Sequence, residues 1–238
     1  MNISSPYRRV VLKITGEALG GGGTLFDPAK VEYLVEEICS VRGISQIAIV
    51  IGGGNIIRGS ALKASLGTTG AVADYIGMTA TIMNAMLLED CLKRRGAEAV
   101  AVTSIPANAL AEPYLFKKVI HHLERGRIVI LAAGTGNAGV TTDTGAILRA
   151  GDLQADIVLK GTKVDGVYDK DPKAFRDAKL LQKLSYQDFL VKNLSKILDE
   201  SAVAQAKMKG MPIKVFDLFK PGNLRALLTG QDIGSTIS

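Results

Sequence analysis

The sequence contains no tryptophan, and aromatic residues make up only 5% of its 238 residues. Proteins that bind single-stranded nucleic acid usually stack bases on aromatic side chains beside clustered basic residues. Here the 29 lysines and arginines are spread along the chain and give a formal net charge of +6. The composition therefore argues against a nucleic-acid surface and favours small phosphorylated ligands as the reason for the positive charge.

Cysteine and long apolar runs are equally scarce. Cys39 and Cys91, the two cysteines, lie in helical patterns without metal-ligand spacing, so we expect free thiols, as is usual in a reducing compartment. No uninterrupted apolar run approaches the length of a membrane span, and Lys13 interrupts the first apolar stretch, which excludes a signal-peptide core. These features predict a cytoplasmic protein with no membrane contact and no metal held by protein side chains alone.

Buried apolar runs alternate with amphipathic segments along the chain. Strands are predicted at Arg9–Thr15, Gln46–Ile51, Glu98–Ser104, Arg127–Ala132, Asp156–Lys160 and Pro212–Asp217. Helices are predicted from Asp27-Pro28 to Gly43 and at Ala71–Arg95, Pro113–Arg125, Thr144–Ala150, Ser195–Lys209 and Pro221–Leu228, with loops at residues 60–70 and an irregular segment at 167–186. This alternation predicts an α/β fold with a parallel sheet between two layers of helices.

Glycine-rich loops follow several of the predicted strands. The apolar run Ile49–Ile51 leads into three consecutive glycines and then Arg58. Glycines let the backbone pass close to a bulky group, and backbone N–H groups beside a guanidinium form an anion site. Loops of the same kind occur at Val10–Gly16, Ile128–Asp143 and Ile157–Gly166. Because parallel strands bind ligands beyond their carboxyl ends, we expect these loops to form one phosphate site.

Known phosphate-binding motifs are incomplete or absent in this sequence, which limits the classes of enzyme it can belong to. The pattern Gly134-x-Gly136-x-x-Gly139 matches the dinucleotide fingerprint, but Lys160 stands where that fingerprint requires an acidic residue. A nicotinamide or flavin enzyme is therefore the weaker alternative. The P-loop pattern and the protein-kinase signatures are absent from the sequence, which excludes both of those classes.

Two lysines near strand ends, Lys13 and Lys160, together with Asp143 are typical of phosphoryl transfer. Such a reaction depends on positioning and on cations that stabilise the equatorial oxygens. Lysines approaching from opposite sides would reduce the repulsion between two anionic substrates, and an aspartate between them would hold both ammonium groups. The alternative is that both lysines merely extend to solvent from the edges of their strands.

Five segments together resemble the bacterial uridylate (UMP) kinases, which belong to the amino acid kinase superfold: Leu12–Leu19, Ile51–Gly59, Ile76–Asn84, Gly134–Asp143 and Lys160–Tyr168. The resemblance implies a three-layer αβα domain over residues 1–238, with an acceptor lobe near 1–150 and an ATP lobe near 151–238. It implies transfer from ATP to UMP in pyrimidine nucleotide biosynthesis, with Mg²⁺, a homohexamer, and GTP and UTP as possible effectors. A non-catalytic nucleotide sensor and a small-carboxylate kinase remain alternatives.

The resemblance also implies a role for individual residues. Lys13 and Lys160 would be catalytic cations that Asp143 orients. The residues implied for ATP are Lys13, Ile14, Thr15, Gly16, Gly54, Arg58, Thr162, Tyr168 and Asp171. The residues implied for UMP are Gly53, Asp74, Thr135, Gly136, Asn137, Ala138, Gly139, Val140, Thr141 and Thr142.

The sequence departs from the family pattern at two places. The family usually has Asn-Pro-Phe-Phe where this chain has Asn137-Ala138-Gly139-Val140, so two aromatic residues are lost near the acceptor pocket. The tract Gly20–Gly23 is typical of a flexible loop or lid. This tract and the helix end Leu92–Arg95 differ from well-known GTP-responsive members, so GTP activation does not follow from the resemblance.

Overall fold

The computed structural model describes residues 5–172, 174–192, 194 and 197–238. These residues form a sheet with the order β4-β3-β5-β2-β1-β6-β8-β9-β7, in which β8 and β9 are antiparallel and the other described pairs are parallel. The strands are β1 Arg9–Ile14, β2 Gln46–Ile51, β3 Ala99–Thr103, β4 Glu112–Pro113, β5 Ile128–Ala132, β6 Ile157–Thr162, β7 Lys183–Leu184, β8 Ile213–Asp217 and β9 Ser235–Ile237. The predicted α/β class with a mostly parallel sheet is confirmed.

Helices cover both faces of the sheet and bury two separate apolar clusters. Residues of α1, α3 and α8 pack on one face, and residues of α4, α5, α6 and α7 pack on the other. The helices are α1 Pro28–Ser40, α2 Gly59–Leu66, α3 Gly70–Arg94, α4 Phe116–Glu124, α5 Thr142–Asp152, α6 Tyr186–Val191, α7 Glu200–Lys209 and α8 Asn223–Leu228. The central strands are buried on both faces, which explains their nearly continuous Val, Ile and Leu runs.

The predicted loop at residues 60–70 is wrong over most of its length, because α2 spans Gly59–Leu66. The prediction gave weight to the glycines and threonines that follow, whereas Ala61, Leu62 and Lys63 are good helix formers. Gly67, with φ of +63°, ends the helix in the left-handed conformation. The helix matters for function because it begins directly after Arg58.

The C-terminal third of the chain contains elements that the sequence did not predict. Helix α6 begins where the Ser185 side chain accepts a hydrogen bond from Asp188 N, and the short strands β7 and β9 extend the sheet. Over residues 167–186 the structure has a bridge between Tyr168 and Leu180 before β7. The predicted helix start at Ser195 lies outside the described residues, and the described helix begins at Glu200.

Two helices begin at other residues than predicted. Helix α5 begins at Thr142, two residues before the prediction, because Thr141 Oγ1 accepts a hydrogen bond from Thr144 N at 3.1 Å. Helix α4 begins at Phe116 and not at Pro113, since Glu112 and Pro113 pair with β3.

Helix α3 is long and apolar enough to cross a membrane by length and composition alone. One side of this 25-residue helix packs against β3 and β5, where Ala85, Leu88 and Leu92 are fully buried. These contacts are those of a core helix. Cys39 on α1 and Cys91 on α3 are free thiols, as predicted, but they are half-buried and not fully buried.

Candidate active site

Two buried lysines lie side by side at the centre of the sheet. Lys13 of β1 and Lys160 of β6 are paired in register on adjacent parallel strands. Because side chains alternate along a strand, both share the face of Val11 and Val158, which is the face that α5 covers. The expectation that the lysines approach from opposite sides is therefore wrong, since neighbouring strands carry them on the same face.

Asp143, in the first turn of α5, bridges the two lysines. Lys13 Nζ lies 2.8 Å from Asp143 Oδ1, and Lys160 Nζ donates a hydrogen bond to Asp143 Oδ2. All three residues are at most 7% exposed. A buried carboxylate with two ammonium groups leaves one net positive charge, and that charge is available to an anionic ligand.

Burial and charge act against each other in this triad. Burial alone would raise the pKa of Asp143, but the ammonium groups of Lys13 and Lys160 outweigh it and hold that pKa below its usual value. Burial, and then the charge of Lys13, lower the pKa of Lys160 to about 8, although Asp143 opposes the shift. Lys160 is therefore a cation that gives up its proton more readily than an exposed lysine.

The glycine turn after β2 lies directly against helix α3. A Cβ added to Gly53 would lie 2.8 Å from Gly77 O and 2.9 Å from Ala80 Cβ, so glycine is required for this approach. Asn84, fully buried on α3, donates to Gly52 O at 2.7 Å and exchanges two hydrogen bonds with Asn55. The turn is consequently held at a fixed distance from α3.

A cavity of about 310 Å³ lies between the glycine turn, α3 and the start of α5. Seven of the residues predicted to bind substrate line it, namely Gly53, Gly54, Arg58, Asp74, Val140, Thr141 and Thr142. Sequence reasoning missed further lining residues, among them Ile57, Met78, Thr81 and Gly134. The apolar members of this second set gave no chemical signal in the sequence, since their pattern is that of core residues.

Asp74 contacts the loop that follows β5. Its Oδ2 accepts a hydrogen bond from Gly139 N at 2.7 Å, and its Oδ1 lies 3.7 Å from Lys63 Nζ. The predicted residues Thr135–Ala138 form the turn that leads to Gly139 and do not line the cavity. Thr135 Oγ1 accepts a hydrogen bond from Asn137 N at 3.3 Å within that turn.

A second cavity, of about 410 Å³, lies on the other side of Gly54. It is lined by Glu17, Gly20, Gly21, Gly22, Gly23, Lys30, Gly54, Asn55, Arg58 and Lys163. Glu17, which sequence reasoning missed, forms ion pairs with Arg58 and, at 3.7 Å, with Lys163. The tract Gly20–Gly23 forms a turn in which Gly21 N donates to Thr24 O at 2.7 Å. Three cations and the backbone of a glycine turn make this cavity suited to phosphates.

Seven of the residues predicted for ATP line neither of these two cavities: Lys13, Ile14, Thr15, Gly16, Thr162, Tyr168 and Asp171. Thr162 Oγ1 donates to Val164 O at 2.7 Å, and Tyr168 donates to Asp165 Oδ2 at 3.4 Å. Asp171 O accepts hydrogen bonds from Ala174 N and Phe175 N. The ATP-binding roles of all seven residues therefore remain predictions.

Another cavity of the molecule has a larger volume than either of these two. A cavity of about 840 Å³ lies at the β3–β4 edge and is lined by residues that include Glu89, Lys93, Glu98, Glu112 and Arg127. Neither lysine of the triad lines any of the three cavities, but Thr142, the neighbour of Asp143, lines the cavity of about 310 Å³. We place the site by the buried charges, because a net charge held among buried side chains indicates a chemical function more directly than an open groove does.

The side chains of the site suit a metal ion that binds together with a phosphate ligand. Over the residues that the structure describes, no group of three or more His, Cys, Asp and Glu side chains could hold a metal ion. Mg²⁺ in phosphoryl-transfer sites is bound by substrate phosphates, waters and one or two carboxylates. Glu17 is a carboxylate on the wall of the cavity that suits phosphates, so this arrangement can accommodate a phosphate-bound Mg²⁺.

Comparison with known proteins gives consistent results. The sequence model of the amino acid kinase family matches residues 8–217. The chain is 45% identical over 235 residues to a uridylate kinase of Rubrobacter xylanophilus, covering 98% of this chain and 92% of that protein. It is similar to the solved UMP kinase of Bacillus anthracis, with a TM-score of 0.94, 38% identity and coverage of 98% and 96%. The UMP kinase of Ureaplasma parvum gives a TM-score of 0.91, 32% identity and coverage of 97% and 98%.

Proposed function

Because the chain belongs to the amino acid kinase family, we propose that it transfers the γ-phosphoryl group of ATP to UMP, giving ADP and UDP. The observation that carries this proposal is the bridging of Lys13 and Lys160 by Asp143, whose neighbours Thr141 and Thr142 line the cavity of about 310 Å³. Relatives named uridylate kinase or UMP kinase that match nearly the whole chain support UMP as the acceptor.

In this reaction the protein mainly positions the two nucleotides and stabilises negative charge. The acceptor is a phosphate anion, which is already a nucleophile, so a general base is not needed. Lys13 and Lys160 would reduce the repulsion between the two anionic nucleotides and stabilise charge on the transferred group. Asp143 is already paired with both ammonium groups. Its role would therefore be to position the two lysines and not to act as a general base.

We assign the two cavities to different parts of the reactants. The cavity lined by Asp74, Thr141 and Thr142 would hold UMP, and the one lined by Arg58 and Lys163 would hold the ATP phosphates. Mg²⁺ would come with ATP and neutralise charge on its β- and γ-phosphates. The division into an acceptor lobe at residues 1–150 and an ATP lobe at residues 151–238 stays a prediction. The described lining of the cavity assigned to the ATP phosphates comes from the first range, except for Lys163.

Assembly, location and regulation belong to the same proposal. A homohexamer is supported by apolar side chains that α3 leaves exposed, among them Val72, Tyr75, Ile76 and Met83. Light scattering on the purified protein measures the mass and tests the hexamer directly. Cytoplasmic location, and responses to GTP and UTP, are proposed on the family resemblance, and the two nucleotides are tested as additions to the activity assay.

An assay of ADP release with UMP, CMP, dTMP and small carboxylates as acceptors tests the reaction. We expect the highest kcat/KM with UMP, and faster turnover of a carboxylate would contradict the proposal. The altered loop Ala138-Gly139-Val140 favours one competing function, a nucleotide sensor without turnover. Binding of ATP and UMP with no ADP release at high enzyme concentration would establish that function instead.

A further inference from the structure

The loop that joins β5 to α5, residues 133–141, begins with a strained backbone. Ala133 and Gly134 both have positive φ, +57° and +53°. An alanine in the left-handed region costs free energy and persists only where neighbouring groups hold it. Ala133 N donates to Thr81 Oγ1 at 2.6 Å, which fixes one side of this corner.

Arg149 holds the other side of the corner from two turns along α5. Its Nη2 donates to Gly134 O at 3.1 Å and to Ser104 Oγ at 2.7 Å, and Ser104 Oγ itself donates to Gly134 O at 2.9 Å. The Gly134 carbonyl thus accepts two hydrogen bonds, one of them from a charged donor. Charge-assisted hydrogen bonds are among the stronger ones in proteins.

The guanidinium is itself held in one position. Its Cζ lies 3.6 Å from the centre of the Tyr114 ring, and Nη1 donates to Asp152 Oδ2 at 3.1 Å. Tyr114 donates to the same Asp152 oxygen at 2.9 Å. The Arg149 side chain is only 10% exposed, and its Nε is buried without a hydrogen-bond partner among the described residues. Such an unpaired donor is costly, so the position of this arginine needs an explanation beyond local stability.

Arg149 connects the start of the loop at residues 133–141, through its hydrogen bond to Gly134, with α5, the helix that begins where the loop ends. Gly134 borders the acceptor cavity at the start of the loop, and Thr141 and Thr142 border it at the end, where α5 begins. Asp143 of the triad lies in the first turn of that same helix. The hydrogen bond from Arg149 to Gly134 therefore fixes the distance between the loop start and the helix that carries Asp143.

We propose that Arg149 is a positioning residue for the acceptor nucleotide: by holding Gly134 O and Ser104 it sets the shape of the loop that binds UMP. The inference rests on the proposed function, since it assigns UMP to this cavity. It predicts an effect on the acceptor that is separate from any effect on ATP, because Arg149 contacts Gly134, which lines the cavity assigned to UMP, whereas none of its described hydrogen-bond partners lines the cavity assigned to the ATP phosphates.

Steady-state kinetics of Arg149→Met and Arg149→Lys test the proposal. We expect Arg149→Met to raise KM for UMP about 10- to 100-fold, the range that a misplacement of about 1 Å can produce, and to change KM for ATP less than about 2-fold. Arg149→Lys should recover part of the loss, because an ammonium group can still donate to Gly134 O. Arg225→Met is the matched control: Arg225 also lies on a helix and donates to a backbone carbonyl, Ser40 O, but it lines neither cavity, so KM for UMP and for ATP should stay unchanged.

Two further measurements keep the outcome decisive. If Arg149→Met does not fold, Ser104→Ala removes a donor from the same carbonyl with little change in volume and should raise KM for UMP several-fold. Equal changes in KM for UMP and ATP, or an unchanged KM for UMP in folded variants, would overturn the inference. Calorimetric titration of the unmodified protein with UMP separates the two proposals, because absence of UMP binding there would contradict the proposed function itself.

Discussion

Lys13 and Lys160 occupy paired positions on adjacent parallel strands and contact opposite oxygens of a single buried carboxylate. The strand register brings their backbones together, and the alternation of side chains directs both to the face that α5 covers. Asp143, from the first turn of α5, then reduces the repulsion between the two ammonium groups. The triad therefore follows from the topology of the sheet together with the position of one helix.

Replacing Lys160 with methionine should reduce kcat by at least about 100-fold, since electrostatic stabilisation is typically the largest catalytic contribution. The melting temperature should not fall, because the remaining Lys13–Asp143 pair is electrically neutral. Lys214→Met is the matched control: Lys214 is also buried, but it pairs with Asp232, away from the triad. If Lys160→Met unfolds the protein while Lys214→Met does not, Lys160 has a structural role.

Replacing Asp143 with asparagine should be more harmful to folding than replacing Lys160. The change leaves two buried ammonium groups without their carboxylate, and breaking a buried ion pair typically costs about 3–5 kcal/mol. Urea denaturation measures the free energy of unfolding of both variants. If Asp143→Asn is as stable as the unmodified protein, water or another group replaces the carboxylate as the partner of the two ammonium groups.

The pH dependence follows from the lowered pKa of Lys160, about 8. As pH rises through about 8, Lys160 in the free enzyme loses its proton and its charge, so kcat/KM should fall. Stability should change in the opposite direction. Between pH 8 and 10.5, the ordinary pKa of lysine, the unfolded chain binds more protons than the folded one, so the free energy of unfolding rises with pH. Persistence of the same alkaline limb in the residual activity of Lys160→Met would assign it to another group.

The close approach of Gly53 to α3 predicts that Gly53→Ala is destabilising. The added methyl group would meet Gly77 O and the Ala80 side chain, and overpacking of this kind typically costs about 1–3 kcal/mol. Gly77→Ala is the control, because a Cβ there has no neighbour within 4 Å and alanine is the better helix former. Thermal unfolding of the two variants should give melting temperatures that change in opposite directions.

The sequence predicted the central part of the fold better than its periphery. Strand β2 agrees with its predicted bounds, because a continuous apolar run with glycines after it has few alternative structures. Helix α6 and strand β9 were missed, since each is short and owes its stability to tertiary packing: Phe189 and Ile237 are fully buried. Helix α2 was also missed, because the glycines and threonines that follow it led to a loop prediction for the whole segment.

For the site, the chemically distinctive residues could be found and their partners could not. Lys13, Lys160 and Asp143 stand out because charged residues are unusual at the ends of apolar strands and at a glycine-rich loop. Glu17 and Arg149 gave no such signal, since a glutamate in a turn and an arginine late in a helix are ordinary surface residues in a sequence. Only the three-dimensional structure places Glu17 on the wall of the second cavity and Arg149 in contact with Gly134.

Single-turnover transfer of the γ-phosphoryl group from ATP to UMP, measured in Lys13→Met and Lys160→Met beside the unmodified protein, tests the role of the triad most directly. The account predicts that each substitution lowers the transfer rate constant by at least about 100-fold while the protein stays folded. Transfer at the unmodified rate in either folded variant would contradict it.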